Sequence, residues 1–597
     1  MPAGRVYLET FGCQMNELDS ELVTGQLRSL GYSFTPDPAT ADVVLYNTCS
    51  VREHAEQKVW SRLGELALRK QTEPGLVVGV LGCMAEREGD ALFKRMPVVD
   101  VMCGPGELDR LPSLLDNALR TRSALVAEAA SYQYADAPGT SAREFALQGS
   151  TSRRSSTLAA AADNLELLDL SRAISPTDHS GTAYVRITRG CNKFCTYCVV
   201  PFTRGAEVHR PPDHIVDECK RLADAGVIEV TLLGQTVNHY RFEHGAAVLI
   251  DGLVQPQKGR VYTHKDGVHE DPYRSSGAGG ERVTTFADLL ARIHDEVPAI
   301  KRLRFVTSYP RSFGDDILTV MREKPRICRY LHVPAQSGSD RLLKLMNRGY
   351  TVAEYLEFLD RARAFLHQPE IGRPLTVAGD FIVGFPTETD EDFEASKALV
   401  RRARYKNCFI FKYSPRPGTV AIDKFPDDVP ENIKRRRNNE LLALQNDISA
   451  EVGQEFVGHT VEVFVEGISR REQKVARRQA PAPAPASAGI ALTVGGKSLS
   501  VDRAVDACGD DHGCGGTHIE SDTPELDDRL VVPEERRIQM SGRTEGDVIV
   551  FFDCPAPQKP AELIGRVQNV RIDGNGGLSL KGTLLASKRH ESSFIDR

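Results

Sequence analysis

The sequence predicts an α/β chain built in three parts: an N-terminal doubly wound parallel sheet, a central parallel (β/α) partial barrel, and a small C-terminal β-barrel split by a long insertion. Three observations predict it. Over the first hundred residues, short continuous apolar runs alternate with helix-like segments, as expected of strands buried on both faces. A second alternating series, with six such runs, begins at 183. Beyond 460 the pattern changes to period two, the mark of half-buried strands. At 597 residues the chain is too long for a single core.

In the first part, assigned to residues 1–130, the strand candidates are "VYLET" (6–10), "VVLYN" (43–47), "LVVGVLG" (76–82) and "VVDVM" (98–102). The helical segment "ELDSELVTGQLRSLG" ends at Gly31, a natural stop signal. Residues 131–175, rich in Ala and Ser, read as a linker. The central part, 176–450, carries "AYVRIT" (183–188), "EVTLLG" (229–234), "RLRFVT" (302–307), "YLHV" (330–333), "TVAGDFIVGF" (376–385) and "CFIFKYS" (408–414). Such a series closes into a partial or full barrel. A Gly-rich run at 243–283 reads as an inserted surface loop. The last part, 451–590, shows "TVEVFVEGI" (460–468), "DVIVFF" (547–552), "LIGRVQNVRI" (563–572) and "LSLKGTLL" (578–585), with 472–535 as a disordered insertion.

Apolar content of 41% and charged content of 26% are those of an ordinary globular protein. No apolar run is long enough to span a membrane, and the N-terminus lacks a secretion signal, so a cytoplasmic location is expected. In that reducing compartment the 13 cysteines, where they cluster, read as metal-binding or catalytic. A net charge of −7 leaves RNA contact to local basic stretches such as "RRAR" (401–404) and "KRRR" (434–437); a charge run on a helix is usually only a solvated face.

Two sets of thiols stand out. In "RGCNKFCTYC", Cys191, Cys195 and Cys198 follow the first barrel strand and so lie at the end of the barrel where active sites form. A 4Fe–4S cube takes one thiolate per iron. Three thiolates leave one iron open, able to receive the amino and carboxylate groups of S-adenosylmethionine. The competing reading is a zinc knuckle completed by His209 or His332. In the first part, Cys13, Cys49 and Cys83 each follow a strand, and parallel strands would bring all three to one sheet edge, where such sheets bind ligands. A second iron–sulfur cluster is the expectation. Cys103 and the strand or helix cysteines Cys219, Cys328, Cys408 and Cys554 read as packing residues. Cys508, His512, Cys514 and His518 read as incidental residues of a polar insertion.

The segments "FGCQMNELDSE", "NTCSVRE", "GCMAERE", "RGCNKFCTYCVVPFTRG", "HVPAQSGSDRLLKLMNRGYT" and "DFIVGFPTETDEDF" together resemble the methylthiotransferase family of radical S-adenosylmethionine enzymes. The C-terminal strands resemble that family's TRAM domain, an RNA-binding barrel. The resemblance implies a transferase that adds a 2-methylthio group to carbon 2 of N(6)-(dimethylallyl)adenosine at tRNA position 37. It implies two 4Fe–4S clusters, one for 5′-deoxyadenosyl radical chemistry and one auxiliary, from which sulfur is delivered. It also implies S-adenosylmethionine as cofactor, tRNA as substrate and a reductase as electron donor, with the chain acting as a monomer. Cofactor contacts carried over are Tyr197, Gln235, Asn238, Gln336, Ser337, Asp380 and Gly384, the last as a turn where backbone could approach an adenine. The family usually reads Gln-Asn-Val-Asn where this chain has Thr236, and His-Pro where it has Tyr309-Pro310. Other substrates within the family, threonylcarbamoyl-adenosine or a ribosomal protein aspartate, stay open at this point. So do a zinc-stabilised RNA-binding module and, more remotely, a thiol oxidoreductase using "CTYC".

Overall fold

The computed structural model describes residues 4–50, 53–131, 143–147, 164–174, 181–259, 283–479 and 537–585, with four isolated two-residue strands at 264, 268, 493 and 497. Cys508, His512, Cys514 and His518, and most of the two predicted inserts, lie outside the described residues.

The N-terminal part is one parallel sheet. Its central strands are β1 (Arg5–Phe11), β2 (Val43–Thr48), β3 (Val77–Gly82) and β4 (Val101–Cys103), flanked by Ser33–Phe34 beside β1 and Glu144–Ala146 beside β4. Every residue of β2 and β3 is buried, because helices cover both faces; this is why the runs are continuously apolar rather than alternating. Phe11, Thr48 and Gly82 are register partners across the three neighbouring strands, so the chain leaves β1, β2 and β3 at one level.

The barrel strands are β5 (Thr182–Arg186), β6 (Glu229–Leu233), β7 (Arg302–Phe305), β8 (Tyr330–His332), β9 (Thr376–Val383) and β10 (Asn407–Lys412). They form two parallel three-stranded sheets, β5-β6-β7 and β8-β9-β10. The sheets meet where Ser308 N donates to His332 O at 2.9 Å and Leu303 bridges Ile327. All six predicted runs are strands. Three helices of this part start at capping boxes, Thr285 with Asp288, Thr351 with Glu354 and Thr389 with Asp392, each satisfying orphan amides of a first turn.

The C-terminal barrel closes in the order β11 (Thr460–Ile468), β12 (Gln539–Thr544), β13 (Ile549–Asp553), β15 (Ser579–Leu584), β14 (Val567–Asn575) and back to β11. The sequence reading missed β12, whose "QMSGRT" carries one large apolar residue and a glycine. The turn after β12 seals the floor of the larger barrel. Arg302 Nη1 donates to Arg543 O at 2.8 Å, Arg304 Nη1 to Glu545 O at 2.9 Å and Thr376 Oγ1 to Gly546 O at 2.7 Å, all from residues at or near the N-terminal ends of β7 and β9.

Two predicted spacers hold more structure than expected. Within 131–175, Glu144–Ala146 extends the sheet, and the helix Asn164–Leu170 delivers Glu166 and Asp169 to Arg210 and Arg186 at 2.8 Å each. Within the insert that starts at 243, Gln257–Lys258 pairs with Val208–His209, beside the thiol-bearing loop. The helix of the first spacer also buries Leu165 and Leu168 in the N-terminal core, but its seven residues are too few to show a helical period; strand addition holds the second segment. Likewise the helix Arg470–Gln479 runs into the second insert. Among the described residues no helix is long and apolar enough to cross a membrane.

Candidate functional site

Cys13, Cys49 and Cys83 gather at the carboxyl edge of the N-terminal sheet. Cys13 caps the helix α1 (Gln14–Ser29), Cys49 follows β2 directly, and Cys83 opens the short helix α2 (Cys83–Glu88). The Cys49 thiol, hydrogen-bonded to Cys13, brings the Cys13 pKa down to about 6 against burial, and the Arg204 guanidinium adds to this. Burial raises Cys83 while Arg204 opposes it, and the Cys13 charge acts on it directly. The loop is braced by amides: Asn16 Nδ2 donates to Asn47 Oδ1 at 3.1 Å, and Asn47 Nδ2 to Asn16 O and Ser20 Oγ at 2.9 Å. Cys103, the last residue of β4, instead points its Sγ at Glu107 O at 3.1 Å and is fully buried. Cys219, Cys328, Cys408 and Cys554 are buried too.

The second trio lies on the loop after β5. Cys191 is pushed up to about 12 by burial, by Glu207 and by the Cys195 thiolate. Cys198 is also raised, by burial and then by Cys195 and Cys191. Thiols that oppose one another's ionisation share a site, and bound iron would supply the positive charge that relieves the conflict. The loop is pinned from outside. Asn347 Nδ2 donates to Phe194 O at 3.0 Å, Thr196 N to Met346 O at 3.1 Å and Ala421 N to Thr196 O at 2.8 Å. Gly190 has φ +70°, and a Cβ there would lie 2.0 Å from Ala206 O, so only glycine lets the two loop arms approach.

The donor chemistry of both trios suits iron–sulfur cubes, since each offers three thiols. Among the described residues no three His, Cys, Asp or Glu side chains converge on a single ion; a cube gives each thiolate its own iron and spreads the ligands wider. Of the histidines considered for zinc, His332 Nε2 lies 3.2 Å from Asp380 Oδ1 and His209 Nε2 lies 3.3 Å from Glu207 Oε1.

The two trios meet. Thr203 and Arg204 close the helix α3 (Val200–Thr203) that follows Cys198. The Arg204 guanidinium bears electrostatically on both Cys83 and Cys13, and its Nη2 donates to Asp19 Oδ2 at 2.7 Å. Thr203, Arg204 and Asp19 lie inside the segments "RGCNKFCTYCVVPFTRG" and "FGCQMNELDSE" that carry the family resemblance, but nothing in the sequence assigns them a role.

The remaining predicted contacts divide. Tyr197 and Gln235 are half-buried at the barrel mouth. Gln336 holds a left-handed φ of 72° at the end of β8, its backbone locked between Asp380 O and Ile382 N at 2.7 and 2.9 Å; such strain in a non-glycine residue marks a constrained site. Ser337 Oγ accepts from Ser339 N at 3.2 Å. Asn238 grips the Tyr309 backbone at both ends, each bond 2.8 Å, so its amide serves the fold first. At Gly384 a Cβ would meet Lys434 Cγ at 2.3 Å: the close approach is made by the Lys434 stem, not by open space for an adenine. The two departures from the family pattern touch the thiol loop. Thr236 Oγ1 lies 3.8 Å from Cys191 Sγ, and Lys193 Nζ sits 3.7 Å above the Tyr309 ring.

Of the basic runs expected to meet RNA, two cationic residues are buried in ion pairs and the rest stay on the exposed surface. Lys434 and Arg437 are buried against Asp427 and Glu388, Arg436 pairs with Asp390, Arg402 with Asp360 and Arg404 with Glu451. Helical spacing that looks like a charged face here supplies inter-helix ion pairs.

Residues 5–104 match the family described as "Uncharacterized protein family UPF0004", and residues 185–400 match the "Radical SAM superfamily". The chain is 43% identical over 469 residues to tRNA-2-methylthio-N(6)-dimethylallyladenosine synthase of Rhodopirellula baltica, across 79% of this chain and 85% of that protein. The chain belongs to the tRNA-2-methylthio-N(6)-dimethylallyladenosine synthase family. A family member of the same name from Bordetella parapertussis is 40% identical over 472 residues, covering 79% and 83%; one from Aeromonas hydrophila is 39% identical over 467 residues, covering 78% and 82%. Among solved structures, the radical S-adenosylmethionine methyltransferase TsrM from Kitasatospora setae gives a TM-score of 0.39 at 14% identity, over 70% of this chain and 77% of that one; no argument rests on so distant a likeness. As a member of this family the chain is a radical S-adenosylmethionine enzyme that uses that cofactor and 4Fe–4S clusters.

Proposed function

We propose that the chain transfers a methylthio group to carbon 2 of N(6)-(dimethylallyl)adenosine at position 37 of tRNA, near the anticodon. One observation carries the reading: Arg204, six residues after Cys198, bears electrostatically on Cys13 and Cys83, so the two thiol trios share a wall. Cys191, Cys195 and Cys198 are assigned to the cluster that receives S-adenosylmethionine, and Cys13, Cys49 and Cys83 to the auxiliary cluster. When bound, these groups supply one-electron radical chemistry at an unreactive C–H bond and a transferable sulfur.

The chain's own residues bind, orient and exclude water. Asn347, Thr196 and Gly190 fix the loop after β5. Arg204 and Asp19 hold the N-terminal edge against it. Tyr197, Gln235, Gln336, Ser337 and Asp380 line the cofactor pocket, while Asn238 and Gly384 act at one remove, through Tyr309 and Lys434. Residues 1–130, 176–450 and 451–590 are assigned to the auxiliary-cluster part, the radical part and an RNA-binding TRAM barrel. The enzyme works in the cytoplasm as a monomer and draws electrons from a reductase.

Mass spectrometry of tRNA nucleosides from a deletion strain tests the assignment. The 2-methylthio group on dimethylallyl-adenosine should vanish and return with the intact gene. Loss from threonylcarbamoyl-adenosine instead would overturn the substrate.

A further inference from the structure

Arg348 is a buried cation without a carboxylate. It is 7% exposed, and its three donor groups are all engaged: Nε donates to Tyr350 Oη at 3.0 Å, Nη2 to Pro334 O at 2.9 Å and Nη1 to Cys195 Sγ at 3.4 Å. The Tyr309 and Tyr350 rings lie 5.1 and 5.2 Å from its guanidinium carbon. Among the described residues no Asp or Glu pairs with it. Arg172, Arg186, Arg204, Arg210 and Arg437 are also buried and each meets carboxylate oxygen. Arg329 likewise lacks a carboxylate but is held by carbonyl and amide oxygens, whereas Arg348 alone of these points at a thiol of the loop after β5. Burying a guanidinium without an anion is costly. The one group beside Arg348 that can become anionic on loading is the Cys195 thiolate with its iron.

We propose that Arg348 is the counter-ion of the cluster held by Cys191, Cys195 and Cys198, and that it sets how readily that cluster accepts an electron. This rests on the cluster assignment given under Proposed function. The reason is electrostatic. Reduction adds one negative charge to an already anionic cube, and a fixed cation with a hydrogen bond to one of its sulfur ligands favours the reduced form. The low-dielectric surroundings make that charge count for more than it would in water. Arg348 is thus a positioning and tuning residue, not one that touches the reacting carbon.

The test is a midpoint potential, read by electron paramagnetic resonance during a dithionite titration of the reconstituted full chain. A Cys13→Ala/Cys49→Ala/Cys83→Ala background leaves a single cluster signal. Arg348→Gln keeps a donor for Pro334 O but removes the charge, and its potential should move to more negative values. At the parent's midpoint the reduced fraction relative to oxidised should fall at least tenfold, about 59 mV for one electron. Arg348→Lys keeps the charge but loses the fork, and should fall between the two. A Gln variant that titrates with the parent overturns the proposal. If that variant holds no iron, an Arg348→Lys variant that titrates about 59 mV or more below the parent overturns it equally, because the charge is retained. A background protein with no cluster signal at all would instead sink the cluster assignment itself.

Discussion

Arg204 Nη2 donates to Asp19 Oδ2 at 2.7 Å, with both side chains almost wholly buried. The same carboxylate accepts from Arg186 Nη1 at 3.2 Å through its other oxygen. One aspartate on the helix after Cys13 therefore ties down both the end of β5 and the segment after Cys198. It is the physical link between two thiol trios that stand more than a hundred residues apart in sequence.

Removing that link should loosen the whole junction. Asp19→Ala strands two buried guanidiniums, one of which keeps Asp169 as partner, and breaking a buried pair in this way costs about 3–5 kcal/mol. The thermal midpoint should drop, and methylthio transfer should fall further than cofactor cleavage, measured as 5′-deoxyadenosine released. Equal losses of the two activities would argue against a junction role.

The two trios should load independently. A Cys13→Ala/Cys49→Ala/Cys83→Ala protein should keep about half the parent's iron, one cube's worth, and should still cleave S-adenosylmethionine without forming the methylthio product. Replacing Cys191, Cys195 and Cys198 should leave the other half of the iron and abolish both reactions. Iron and sulfide quantitation checks each.

Gly190→Ala places a Cβ 2.0 Å from a backbone carbonyl at a left-handed φ. Backbone oxygen cannot swing away as a side chain would, and the strain is on the order of 1–3 kcal/mol. The loop should open and lose its own cluster, so iron should fall to roughly the level of the Cys191/Cys195/Cys198 variant. Full iron content in Gly190→Ala would refute the close-approach argument.

Asp392 gives an acid-side dependence of stability. Burial pushes its carboxyl up, but Arg341, Ser339 and the Thr389 cap outweigh this and bring it to about 2, below its ordinary 3.8. A depressed folded-state pKa means the stabilisation is present above about 4 and is lost as pH falls towards 2. The parent's thermal midpoint should fall more steeply between pH 5 and pH 3 than that of Asp392→Asn, whose amide cannot titrate. Parallel curves would show that another group governs the acid limb.

How much of this was legible in the sequence follows from what each feature depends on. Strands buried on both faces must be apolar throughout, so the runs at 43–47 and 376–385 declare themselves from one segment alone. Cys13, Cys49 and Cys83 are legible for the same local reason, because each sits one or two residues past a strand and a parallel sheet sends every strand end to one edge; the second trio is legible by its own close spacing. Polar elements do not declare themselves. β12 reads "QMSGRT" because only its inward residues are covered, and the short helix Asn164–Leu170 is placed by Leu165 and Leu168 in the core together with the ion pairs to Arg186 and Arg210, partners that local sequence cannot supply. Within "KRRR" the sequence does not show which cations are buried, since the acids that pair Lys434 and Arg437 come from another turn of chain, while Arg435 and Arg436 stay exposed.

The strands buried on both faces and the grouping of the six cysteines at strand ends were thus legible in the sequence alone, through apolar runs and spacings that need no distant partner. Only the tertiary structure decided that the trios share a wall, that Arg204 and Asp19 build it, and that Arg348 spends its charge on a thiol. Those are pairings between residues far apart in the chain, and a long-range pairing is fixed by the packing of whole elements rather than by anything either residue shows on its own.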